Sequence, residues 1–131
     1  MTDPKSVELR MRDHVFAREA SVQQSLLEKG EFPPGWVETY LELLKEAEIV
    51  WRNQTCLPRE LIAAVHFASW YLNIRYNAWC VFSKKLNATT ERQLAQIRTP
   101  SETFLMMSII KDLTPSSDPS VQRVLDSLFG L

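Results

Sequence analysis

Between Pro58 and Leu86 the chain runs for 29 residues, PRELIAAVHFASWYLNIRYNAWCVFSKKL, with no glycine and no internal proline to stop a helix. At 1.5 Å per residue an unbroken helix over that stretch is about 43 Å long, and any fold must be built along it. Stepping by four and three, Leu61, Val65, Ala68, Leu72, Arg75, Trp79, Phe82 and Leu86 fall on one seam that is apolar everywhere but at Arg75. Ala63, Phe67, Ile74 and Val81 add a second flank, so about three-quarters of the circumference is apolar. That pattern predicts a central helix wrapped by the others. One polar stripe remains, made of Arg59, His66, Asn73, Asn77 and Lys84 with Trp70 among them.

Proline punctuates the rest. Pro4, Pro34, Pro58, Pro100 and Pro119 each precede a helical pattern, where a fixed φ suits the first turn and the missing N–H costs nothing. The first helix is expected over 4–29 after an Asp3 cap, with Met11, Val15, Val22 and Leu26 on its core face and Gly30 ending it. The second, over 34–53, buries Trp36, Tyr40, Leu43, Leu44, Ala47, Val50 and Trp51 and turns Glu38, Glu42 and Lys45 outward. Beyond the long helix, Asn87 can take the left-handed conformation at its end. Thr90 with Gln93 offers a capping box for a short helix to Arg98. Thr99-Pro100-Ser101-Glu102 then reads as a fresh start for an apolar helix to Leu113, and Asp118-Pro119 opens a last one carrying Val121, Val124, Leu125 and Leu128. The expectation is an all-α fold, a compact bundle of about six helices around the long central helix at 58–86, forming one domain across residues 1–131. A chain of 131 residues can bury a core without metal or disulfide.

Composition narrows the class. With 45% hydrophobic and 24% charged residues the chain has the make-up of a soluble globular protein. Cys56 and Cys80 match no paired-thiol motif. The N-terminus carries no basic start followed by an apolar core, and a cytoplasmic, reducing setting is the expectation. The stretch 61–82 holds His66, Asn73, Arg75 and Asn77. A central arginine alone costs about 2.5–3.5 kcal/mol on insertion scales, so a buried helix is favoured over a membrane span. Charge is uneven although the total is −1: residues 52–98 hold seven basic and two acidic groups, and both flanking segments are acidic. Arg59, Lys84, Lys85, Arg92 and Arg98 could meet an anionic partner such as nucleic acid, but a basic layer neutralised by acidic neighbours is the preferred reading.

Chemistry-bearing patterns are sparse. His14 and His66 form no metal-ligand pair, and the three glycines sit at helix boundaries, so no metal and no cofactor are expected. The aromatic run Trp70, Tyr71, Tyr76 and Trp79 is expected in the core. One spacing stands out: Arg59, six residues and then His66 on a helix of an all-α chain is similar to the signature of the HEPN family of dimeric ribonucleases. The resemblance covers eight residues, with Ala68 standing where many members carry tyrosine. It implies that Arg59 would steady a phosphate and His66 would handle the proton in metal-independent RNA cleavage. With no fuller catalytic constellation, the reading adopted is a non-enzymatic binding or adaptor module acting through protein contacts, a homodimer among them. Its candidate binding residues are His66, Trp70, Asn73, Arg75 and Asn77; a small HEPN-like ribonuclease or an RNA-binding subunit is the alternative. Arg75, the polar intruder on the seam, needs a neutralising partner if buried, and Glu19 of a parallel first helix lies at its level.

Overall fold

The computed structural model describes residues 3–17, 21–52, 57–112, 119, 120 and 123, with the backbone alone for residues 107–112. Among the described residues there are five helices and no strand. The first three are α1 (Pro4–Val15), α2 (Val22–Lys29) and α3 (Trp36–Trp51). The long α4 is built from Arg59–His66, a π turn at Phe67–Tyr71, and Leu72–Ser83; α5 follows over Ala88–Asp112. The expected last helix falls almost wholly outside the described residues, which include only its Pro119, Ser120 and Arg123.

Several boundaries differ from those the sequence predicts. The expected helix over 4–29 is divided, α1 ending at Val15 and α2 starting after Ser21. Asp3 occupies the N-cap position of α1 without a side-chain bond. The expected start at Pro100 does not exist, because α5 runs straight through it. A proline inside a helix leaves the carbonyl four residues earlier without its donor. Here that carbonyl belongs to Gln96, and Gln96 and Pro100 both lie on the exposed side, where water can take it. Ser101, expected in the cap, is fully buried and its Oγ shares a 2.6 Å hydrogen bond with Tyr40 Oη, fastening α5 to α3.

α1 packs on α3 and on the first half of α4, α2 packs on its second half, and α5 covers the first half and the π turn. Arg12 pairs with Glu60 at 3.6 Å, Phe16 meets Phe67 edge to face at 5.1 Å, and Gly30 lies against the Trp79 ring. These contacts climb together, so the α1–α2 arm runs parallel to α4.

The π turn decides what α4 buries. Leu61, Val65, Ala68 and Leu72 are fully buried, as the seam predicts. A π turn holds one residue more than an α turn, which rotates everything after it by about 100° relative to a regular helix. The buried position of the next turn is therefore Tyr76 instead of Arg75, and beyond it Trp79, Cys80 and Ser83 are half-buried. Phe82 is left 83% exposed and Leu86 75% exposed. α4 also stops earlier than expected, at Ser83, with Lys84 in the left-handed conformation at φ 56.

Asn87, predicted to end α4, instead opens α5: its Oδ1 accepts from Thr90 N–H at 3.2 Å. Its own N–H donates to Tyr76 Oη at 2.8 Å, and its Nδ2 donates to Gly30 O at 3.2 Å. Thr90, predicted as a cap, is buried and donates to the same Gly30 carbonyl at 2.7 Å. The end of α2 is thereby locked to the start of α5. Gly30 has φ 66, and a Cβ there would run into Trp79.

Candidate protein-binding face of the long helix

Among the described residues α4 is not wrapped on all sides. α1, α2 and α5 account for its neighbours with the most contacts, and the remaining face looks outward. Along it lie Ile62, His66, Trp70, Ile74, Asn77 and Val81, spaced by fours and one three, all exposed. Trp70 is 58% exposed and Val81 73% exposed. The expectation that Trp70 belongs to the core is corrected here. Tyr76 is buried and Tyr71 and Trp79 are half-buried, but Trp70 stands on the open side of the π turn, away from the side that α5 covers. Asn73 flanks the row half-buried, its Nδ2 donating to Ser69 O at 3.2 Å within the helix. That bond ties down the amide and leaves the indole of Trp70 as the largest free surface.

Of the residues singled out from sequence, His66, Trp70, Asn73 and Asn77 share this face. Arg75 does not: it lies on another flank, at a cleft with α2. Its Nη2 donates to Tyr71 Oη at 2.6 Å and its Cζ sits 4.9 Å from the Tyr71 ring centre. Tyr71 thus supports the guanidinium with both its hydroxyl and its ring, while Trp79 packs against Tyr76 and Gly30. Glu19, the expected carboxylate for Arg75, lies outside the described residues. Ile74 and Val81 were missed as surface because helical spacing alone assigns them to an apolar flank, and Ile62 falls on neither the seam nor that flank.

Arg59 and His66 are both exposed, seven residues apart on the same side of α4. They occupy an open helix surface, away from the residues that line the cleft beside α2. Lys84, Lys85, Arg92 and Arg98 are also exposed, Arg98 with Glu102 at 3.0 Å. Among the described residues no group of three or more His, Cys, Asp or Glu side chains is placed to hold a metal ion, and no helix is long and apolar enough to cross a membrane.

An exposed row of this kind can bury apolar surface against a complementary helix or groove. Aromatic side chains such as tryptophan contribute about 150–250 Å² each at such contacts and are enriched among the residues that dominate binding energy. Comparison with known protein families, curated proteins and solved structures returns no match.

Proposed function

We propose that the chain is a non-enzymatic helical binding module that docks a protein partner on the outward face of α4, with Trp70 as the anchor. The observation that carries this reading is the exposed apolar row Ile62, Trp70, Ile74 and Val81 on a helix packed elsewhere against α1, α2 and α5. Contiguous apolar surface on a soluble domain marks interaction sites. His66, Asn73 and Asn77 supply the polar contacts that fix register at the rim.

The test replaces Trp70 and Ile74 by glutamate. The partner recovered with the wild-type chain under quantitative affinity purification should be lost, while the helical circular dichroism stays unchanged. Sedimentation equilibrium on the pure chain tells whether the partner is a second copy: a dimer that dissociates in the double variant identifies one. Partner recovery unchanged by the two glutamates would defeat the proposal. The exposure of Arg59 and His66 on one face favours a second reading, RNA binding or metal-independent cleavage. Cleavage of single-stranded RNA in chelator that disappears in His66→Ala would put that reading first.

A further inference from the structure

A cleft of about 390 Å³ lies between the α1–α2 junction and the second half of α4, bordered by Phe16, Ser21, Gln23, Gln24, Leu27 and Arg75. Among the described residues its lining holds one formal charge, the guanidinium, and no acid. Ser21 is only 7% exposed, sits at the N-cap of α2 without capping it, and its Oγ has no hydrogen-bond partner. Arg75 Nε is likewise buried without a partner, on a guanidinium already held in place by the Tyr71 hydroxyl and ring. Unpartnered buried polar groups are rare enough in folded proteins that each one points to a missing ligand, ion or water. Here two of them border one cleft. The start of α2 adds first-turn N–H groups at Val22, Gln23 and Gln24, which have no acceptor within the helix, while Ser25 N–H is already taken by Ser21 O at 3.1 Å.

We propose that this cleft is a binding site for a small organic carboxylate with an apolar body, the carboxylate lying between Arg75, the Ser21 hydroxyl and the start of α2. Each donor matches one demand of that ligand. The arginine offers a planar fork of N–H groups and the full positive charge, and the helix start offers backbone N–H groups with a partial positive charge. Phe16 and Leu27 form the apolar wall, Phe16 being pinned by its edge contact with Phe67. A single cation among the described lining residues suits a monoanion better than a phosphate dianion. Gln24 is turned outward to Glu28, its Nε2 donating at 3.2 Å, which leaves Gln23 as the free amide at the rim. The cleft stands apart from the outward face of α4, so it binds independently of whether that face docks a protein.

The experiment uses the full chain labelled with nitrogen-15 and titrated with 3-phenylpropionate, its neutral amide and inorganic phosphate in parallel. The carboxylate should shift the backbone amides of residues 21–24 saturably at millimolar concentration, and the neutral amide should bind at least tenfold more weakly, as should phosphate. Arg75→Gln should weaken the carboxylate about tenfold or more, the scale of a hydrogen bond to a charged group. Ser21→Ala should weaken it severalfold with the fold intact, which keeps the test sharp should Arg75→Gln unfold the chain. Equal binding of acid and amide, tighter binding of phosphate, or affinity unmoved in both variants would overturn the site. Glu19→Gln separates the last outcome: carboxylate binding that arises only in that variant means the site serves the chain's own side chain, and the ligand proposal is wrong.

Discussion

The two halves of α4 are both rich in apolar residues and have different fates. Before the π turn, Leu61, Ala64 and Val65 are fully buried between α1 and α5, and the seam matches the packing although Ile62 and Ala63 are exposed. After it, Val81 and Phe82 stand in solvent and Tyr76 takes the core position that the spacing assigns to Arg75. Hydrophobicity does not separate the halves; rotation does. One extra residue in Phe67–Tyr71 turns the following helix by about 100°, so that Tyr76 faces the core while the seam residues Arg75 and Trp79 lie toward α2. What holds the second half in its rotated setting is polar: Tyr76 on Asn87, and Asn87 and Thr90 on Gly30.

That contrast is most sharply broken at Gly30. Gly30→Ala puts a methyl group into the Trp79 ring at a backbone setting that disfavours side chains. Overpacking and left-handed strain together should remove about 2–6 kcal/mol of stability, read as a shift of the urea midpoint. A loss under about 1 kcal/mol would mean that α2 and α4 part easily and that the junction does not set the rotation.

Next in size is a matched pair of truncations. Leu61→Ala removes a fully buried side chain from the first half and should cost about 2–5 kcal/mol. Phe82→Ala occupies an equivalent seam position in the second half but is 83% exposed, and should stay within about 0.5 kcal/mol of wild type. Similar losses at the two sites would restore the uniform seam and dismiss the register shift. Asn87→Ala probes the polar lock directly. It removes the α5 cap and a bond to Gly30 O, and should cost about 1–2 kcal/mol in the same denaturation assay. A neutral result would leave the rotation to packing alone.

Legibility from sequence follows the same division. Val15, Val22, Leu26, Leu61 and Leu72 are readable because a 3.6-residue period and an apolar partner decide them together. The π turn is not readable, since Phe67-Ala68-Ser69-Trp70-Tyr71 carries neither glycine nor proline. Pro100 misleads for a complementary reason: a capping motif is local, whereas Ser101 answers to Tyr40, 61 residues away in the chain. The outward row on α4 escapes because periodicity ranks the faces of a helix but does not count the neighbours available to cover them. Arg75 was legible as an oddity on the seam. The unused hydroxyl of Ser21 was not, because capping residues normally spend their side chains on the helix they start.

The smallest expected effect lies on the side of α1 that steadies the first half of α4. His14 Nε2–H donates to Trp36 O at 2.9 Å, its ring stacks on the Trp36 indole at 4.6 Å, and Trp36 Nε1–H returns a bond to His14 O at 3.2 Å. Burial disfavours the charged imidazolium, and the bond to the Trp36 carbonyl only partly offsets it, so the His14 pKa is lowered from 6.5. In the unfolded chain the ring titrates at its ordinary value. As pH falls through 6.5, the unfolded state takes up a proton that the folded state resists, and stability falls with it. Above that pH both states are neutral at this ring and the contribution is flat; below the lowered folded value both are charged and the loss has reached its full extent. Thermal midpoints should therefore decline between neutral and mildly acidic pH. His14→Gln keeps a donor for Trp36 O but does not titrate, so it should lose that part of the slope and sit slightly lower at neutral pH, where the ring stack is missing. Carboxylates and His66 remain in both proteins, which makes the difference between the two slopes the decisive quantity. Parallel pH profiles would show that α1 is fastened without regard to the protonation of His14.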